Sequence, residues 1–352
     1  MAHLTARWYK VLENEILQRS SQIVSVVGSN AYIFGGELRP REPRDNDVHV
    51  VPLHSGKLDI LHAPKGSSLL IKQNKTGAAV SSKPATSTSL TPRVGAAATT
   101  FNGKIYLFSG RGGIAMAPIE EQGAIWGYDP TPATWTAIKP SSQSGYPAAR
   151  SYHCAANDGA DTIYIHAGCP EKGRLSDLWA FNLARKEWTE LASAPDPARG
   201  GTSIAFAGGK IYRMNGFDGK TEQGGNVNVY SPDTNSWTSI SYKPDGKEGP
   251  FPRSVAVLLP IVRDDVVFLV TMFGERDPSS LGHQGAGKML GDAWAFNTTT
   301  KTWSEVRVEG AELPVPRGWF DADVVGRNAI VVHGGLGESN DRLGDVWKLE
   351  FS

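Results

Sequence analysis

The chain of 352 residues has only two cysteines, Cys154 and Cys169, too few for a disulfide framework, so a reducing compartment is expected. It has no excess of either charge: 36 Lys+Arg stand against 36 Asp+Glu. Nucleic-acid binders need a basic face to displace condensed counterions, so no nucleic-acid partner is expected. No window approaches the roughly 20 apolar residues that span a bilayer, and no membrane partner is expected either. The opening segment, MAHLTARWYK, has no apolar core of the kind a secretory signal requires, which points to the cytoplasm.

What the chain has in abundance is glycine, 39 of 352 residues, and ten tryptophans. Both fall in a repeat. NAYIFGGE (30–37) is echoed by GKIYLFSGR (103–111), DTIYIHAGC (161–169), GKIYRMNGF (209–217), DVVFLVTMFGE (265–275) and NAIVVHGGL (328–336). Each is a short apolar strand that ends in small residues. An aromatic strand, a turn and a tryptophan follow most copies, ending at Trp135, Trp188, Trp237 and Trp303. An arginine opens each copy: Arg19, Arg93, Arg150, Arg199, Arg253 and Arg317.

Six copies spaced by roughly 50 to 75 residues resemble the kelch repeat, whose period is ~50 residues plus loop insertions. One such repeat is a four-stranded blade, and blades close radially. The expected fold is all-β, a six-bladed kelch β-propeller in a single domain over residues 1–352. The last copy, ending DVWKLEFS, lacks an outer tryptophan strand, while ARWYKV near the N-terminus is such a strand without a blade. Trp8 is therefore expected to complete blade six. The Ser/Thr/Lys/Pro-rich stretch 63–92 interrupts the repeat as a mobile loop insertion, either a lid over the mouth or an inert connection.

Strand parity brings two sets of side chains to one mouth of the propeller. The inner strands begin there, with the six arginines. The turns between second and third strands return there, carrying Glu37, Arg111, Cys169, Phe217, Glu275, Asp277, His283 and Glu338. Mixed charge in one concavity suits a polar or anionic small molecule. The bland alternative is that each arginine pairs with a carboxylate of its own blade. In blade five, FGERDPSSLGHQGAGKMLGD places Glu275, Asp277 and His283 within nine residues, a donor set suited to a ferrous ion.

Among kelch proteins the chain resembles the plant nitrile-specifier and thiocyanate-forming proteins and their fungal relatives. The resemblance runs through YIFGGELRPREPRDN, LFSGRGG, AARSYHCAA, RGGTSIAFAGGKIYRMNGFDG, PRSVAV, FGERDPSSLGHQGAG and PRGWFD, in order along nearly every blade. It implies action on the unstable thiohydroximate left when a glucosinolate loses its sugar, with breakdown to nitriles or related products promoted by Fe(II). The family's Glu-x3-Asp-x3-His iron run falls on Glu275 and His283, but its middle position is Ser279. A neutral hydroxyl is a poor substitute for a hard anionic ligand. Asp277, two residues earlier, is the remaining candidate.

By the same resemblance Arg111 holds the anionic part of the substrate, and Trp319 lies on the same rim. The expected catalytic set is Arg111, Glu275 and His283. The expected substrate-binding set is Glu37, Arg19, Arg150, His153, Arg199, Phe217, Arg253 and Trp319. The implied function is a small-molecule lyase, isomerase or cyclase acting on a reactive intermediate. Two alternatives stand beside it: a metal-independent cyclase that works by orienting its substrate, and a non-catalytic scaffold with a protein partner. A copper-radical kelch oxidase is set aside. Cys154 does sit beside Tyr152 and His153, but no second matching histidine motif follows.

Overall fold

The computed structural model describes residues 4–62, 90–141, 145–282 and 285–352. Six antiparallel sheets follow one another around a ring. Blade 1 comprises Ser20–Val27, Asn30–Arg39, Val48–Pro52 and Asp59–Leu61. Blade 2 is Ala97–Phe101, Lys104–Phe108, Ile125–Asp129 and Thr134–Ile138. Blade 3 is Cys154–Asn157, Thr162–Gly168, Leu175–Asn182 and Glu187–Leu191. Blade 4 is Gly200–Ala207, Lys210–Phe217, Asn226–Ser231 and Ser236–Ser241. Blade 5 is Leu259–Arg263, Val266–Met272, Ala293–Asn297 and Thr302–Glu305.

Blade 6 takes three strands from the C-terminal region, Asp321–Val325, Ala329–His333 and Asp345–Phe351, and its outer strand from Thr5–Glu13. Trp8 lies opposite Leu349 in that antiparallel pair, and Arg307–Glu309 adds a parallel strand outside it. The exposed edge that an open sheet would present is therefore covered. Most of the 63–92 insertion, from 63 to 89, lies outside the described residues. Among the described residues no helix is long and apolar enough to cross a membrane.

The outer-strand tryptophans explain why the blades pack as wedges. Each reaches back to an aromatic ring of the preceding blade. Trp135 meets Phe34 at 5.1 Å, Trp188 meets Phe108 at 5.5 Å, and Trp237 meets His166 at 5.9 Å. Trp303 meets Tyr242 at 5.5 Å, and Trp8 meets Phe273 at 5.8 Å. A wedge widens with distance from the axis, and indole is the largest apolar group available to fill it.

The arginines solve a second recurring problem, the left-handed kink at the end of each second strand. All six donate Nη1 to the carbonyl at that kink: Arg19 to Gly35, Arg93 to Ser109, Arg150 to Ala167, Arg199 to Asn215, Arg253 to Phe273 and Arg317 to Gly334. In five blades the same guanidinium is matched by a carboxylate from the third-strand side: Asp45, Glu121, Asp177, Asp292 and Asp345. In blades 3, 5 and 6 a tryptophan two residues on donates its indole N–H to that aspartate, at 2.9, 2.8 and 2.7 Å.

Blade 4 has Asn226 and Asn228 in place of Asp-x-Trp, and Arg199 makes no ion pair among the described residues. Arg213 donates instead to Asn228 Oδ1 and to the Pro195 and Pro197 carbonyls. Burial lowers these guanidiniums, to about 10 for Arg199 against the pull of Asp218 and to about 9 for Arg213, where the charge of Arg199 adds to the fall.

One carboxylate pair joins the first and last blades. Asp321 Oδ2 accepts the Val24 N–H at 2.7 Å, and Asp323 Oδ2 accepts the Val26 N–H at 2.7 Å and the Thr100 hydroxyl at 3.0 Å. These N–H groups face away from the second strand of blade 1 and would otherwise lack a partner. Burial raises Asp321 to about 7 and Asp323 to about 6. Because the folded values lie above the ordinary ~3.9, this part of the stability is fully present below pH ~4 and is lost as pH rises to about 7. Urea midpoints measured across that window should fall with rising pH, and Asp321→Asn, which keeps an acceptor oxygen, should flatten the decline. A parent profile already flat between pH 4 and 7 would contradict the assignment.

Candidate active site at the propeller mouth

The residue after each arginine pairs with the residue after the small pair that ends the second strand. These partners are Ser20 with Glu37, Val94 with Arg111, Ser151 with Cys169, Gly200 with Phe217, Ser254 with Glu275 and Gly318 with Leu336. Both sets of turns thus open on one end of the propeller. There Glu37, Arg111, Cys169, Phe217 and Glu275 line a cavity of about 250 Å³, together with Trp319.

The cavity has a floor with its own architecture. The second residue after each arginine is in the left-handed conformation: Ser21, Gly95, Tyr152, Gly201, Val255 and Trp319, with φ between 47° and 60°. Their backbones form a closed circle of six hydrogen bonds. Ser21 N–H donates to Trp319 O, Gly95 to Ser21, Tyr152 to Gly95, Gly201 to Tyr152, Val255 to Gly201 and Trp319 to Val255, at 2.7–3.1 Å. A left-handed non-glycine residue costs roughly 1–2 kcal/mol, and aromatic or β-branched residues there are uncommon enough to mark a functional region. Tyr152 and Trp319 come from blades 3 and 6, opposite each other, and their rings meet edge-on at 5.2 Å. Glycine at position 95 is required sterically, because a Cβ there would stand 2.8 Å from the Tyr152 ring.

One side of the cavity is cationic. Arg111 is held by neutral acceptors, the Ser151 hydroxyl at 3.2 Å and the Met116 and Pro170 carbonyls at 2.9 and 3.3 Å. Arg174 lies 5.1 Å above the Phe217 ring. Neither is in an ion pair among the described residues.

The other side is acidic. Glu275 accepts the Gly287 N–H at 2.6 Å and the Trp319 indole N–H at 3.2 Å. Glu222 Oε1 is buried without a hydrogen-bond partner. Glu37 accepts the Arg41 N–H at 2.6 Å and pairs with Arg342 at 3.4 Å. Desolvation raises all three carboxyls above their ordinary value, and Glu275 adds to the rise of Glu222. Burial also pushes the Cys169 thiol up.

The structure separates the expected site residues into two groups. Glu37, Arg111, Phe217, Glu275 and Trp319 face the cavity. Arg19, Arg150, Arg199 and Arg253 do not, because their guanidiniums are buried inside the blades on the kink carbonyls. His153 lies below the floor against Phe108, and desolvation holds it neutral, near about 3.

Asp277 is exposed and paired with Arg276 at 3.1 Å, whereas Ser279 lines the cavity. His283 lies outside the described residues. Among the described residues no three His, Cys, Asp or Glu side chains converge on a metal position. Both Glu275 oxygens are already engaged, so the described residues do not by themselves form a fitting iron site.

Met116, Tyr152, Arg174 and Glu222 also line the cavity and were not expected from the sequence. A regular signal was available for three of them. Met116, Arg174 and Glu222 each stand six residues after the second small residue, Gly110, Gly168 and Gly216, on the returning arm of the turn.

A family model for the KLHDC2/KLHL20/DRC7 kelch-repeats domain matches residues 21–274. The chain belongs to the kelch-repeat family. This kelch chain is 27% identical over 356 residues to the N-(sulfonatooxy)prop-2-enimidothioate sulfolyase of Thlaspi arvense, covering 94% of the chain and 91% of that protein. It is 25% identical over 197 residues to the kelch-like protein terF of Aspergillus terreus, covering 53% of the chain but only 39% of that relative. The solved structure of YjhT superposes with a TM-score of 0.67 at 14% identity over 96% of each chain, a likeness of fold.

The two arginine environments differ in what their loss should do. Arg253→Ala leaves Asp292 and the Phe273 carbonyl without their partner, and should cost about 3–5 kcal/mol in urea unfolding. Arg111→Ala should stay within about 1 kcal/mol of the parent. Equal losses from the two substitutions would contradict this division.

Proposed function

We propose that this kelch protein is a small-molecule enzyme of lyase or isomerase type that takes a compact anionic substrate into the mouth cavity. The observation that carries the reading is the placement of Arg111 and Arg174, in no ion pair among the described residues, against the Glu222 and Glu275 carboxyls across an apolar floor. Guanidinium groups present planar forks of donors suited to sulfate, phosphate or carboxylate. The similarity to a sulfolyase along 94% of the chain supports an anionic, sulfate-like group on the substrate.

In this reading Arg111 and Arg174 hold the anionic group, and stabilise charge that builds on it if it departs. Glu222 or Glu275, with affinity for a proton raised by burial, supplies or removes a proton at the reacting body. Phe217, Tyr152 and Trp319 orient that body and exclude water. The same walls serve a ring-forming step, in which positioning is the main contribution. The scaffold reading draws on a different observation: Ile114 and Leu281, in the second-to-third turns of blades 2 and 5, are large apolar side chains exposed to solvent at the rim.

Calorimetric titration with inorganic sulfate and phenyl sulfate separates these readings. The parent should bind phenyl sulfate, and Arg111→Ala or Arg174→Ala should weaken it by roughly 10–100-fold, as expected for loss of a hydrogen bond to a charged group. Unchanged affinity in both variants would remove the anion site and leave the scaffold.

Fe(II) enters only as the cofactor implied by the family resemblance, through Glu275 and His283. Anaerobic equilibrium dialysis with Fe(II) tests it. Retention by the parent and loss in Glu275→Ala is the expected result on that reading, and equal retention by both proteins would oppose it.

A further inference from the structure

The ring of left-handed residues separates two chambers. All six of its members line the central channel on the far side, a space of about 640 Å³. Four of them, Tyr152, Gly201, Val255 and Trp319, also line the mouth cavity. The partition is therefore one residue thick, and what closes it is side-chain choice. Blades 2 and 4 contribute glycine and blade 1 contributes serine, whereas blades 3 and 6 contribute the two aromatic rings that meet across the axis.

The packing around these rings is specific. The Tyr152 ring occupies the space above Gly95 that a side chain would take, and Val255 stands over Gly201 in the same way. Trp319 is oriented by its indole N–H on Glu275, a residue of the cavity wall.

We propose that Tyr152 and Trp319 form a plug that turns an axial passage into a blind cavity, and so sets the length of substrate the site accepts. The class admitted is a compact anion whose apolar body ends at the aromatic floor. At about 250 Å³ the cavity falls below the ~300–1,000 Å³ typical of drug-sized ligands. Tyr152 and Trp319 determine specificity in this proposal: they set where the ligand stops, not what happens to it. The proposal rests on the reading above for the anchoring of the anionic end, and only for that.

The test uses two probe series, n-alkyl sulfates and uncharged n-alkanols, each from two to ten carbons and titrated calorimetrically below micelle-forming concentrations. In the parent, affinity should rise about fourfold per methylene, then level off where the chain meets the floor. In Tyr152→Gly/Trp319→Gly the rise should continue through longer chains. Glycine already occupies the equivalent ring positions 95 and 201 and suits the left-handed backbone.

Tyr152→Ser, matching Ser21 in blade 1, is the second variant should the double one not fold. It should move the levelling point to longer chains by a smaller step. Trp319→Phe keeps a ring on the axis and should retain the parent's levelling point, a result that general loosening of the fold would not give.

The same levelling length in parent and opened variants overturns the plug, as does failure of both series to bind any of them. If alkanols show the shift and sulfates gain nothing over alkanols, the plug stands and the anion reading fails.

Discussion

The structure depends on the left-handed turn placed two residues after every inner-strand arginine. That conformation swings each backbone N–H toward the preceding blade, so six of them close into a circle around the axis. A second circle lies beside it. The N–H of Gly36, Gly110, Gly168, Gly216, Gly274 and Gly335 each donates to the arginine carbonyl of the next blade, at 2.7–3.0 Å. Edge strands that line a channel have no sheet neighbour, and these two circles satisfy their polar groups. Closure of the last blade by Thr5–Glu13 is the same requirement met at the periphery.

The arginines show how one residue type serves two ends in one fold. Those that open the inner strands donate to carbonyls turned inward by the kinks and, in five blades, pair with a carboxylate from the third-strand side. They stand at the mouth in sequence but inside the blades in space. Arg111 and Arg174 lie on the turns beyond the kinks, and neither is in an ion pair among the described residues. Their charge is directed into a cavity floored with aromatic carbon. The acidic groups divide likewise: Asp45, Asp177, Asp292 and Asp345 serve the framework, whereas Glu222 and Glu275 line the mouth cavity.

Much of this was legible in the residues. The strand copies ending in small pairs marked six blades, ARWYKV marked the closing strand, and the residue after each small pair marked the rim. The regularity that revealed the blades also hid part of the site. Arg174, Glu222 and Met116 sit on returning arms whose lengths differ from blade to blade, so their common offset becomes meaningful only once the turns are seen to converge. Arg19, Arg150, Arg199 and Arg253 carried the opposite hazard, since a repeated charge looks the same in sequence whether it faces a ligand or a carbonyl.

The sequence by itself determined the number of blades, their order, the closing strand and the end of the propeller on which the second-to-third turns converge. Each of these follows from local periodicity that every copy repeats. Only the tertiary structure decided which charged side chains line the cavity and which rings meet on the axis. Tyr152 and Trp319 are 167 positions apart and meet because blades 3 and 6 are opposite. That contact depends on the closed ring as a whole, which no single repeat contains.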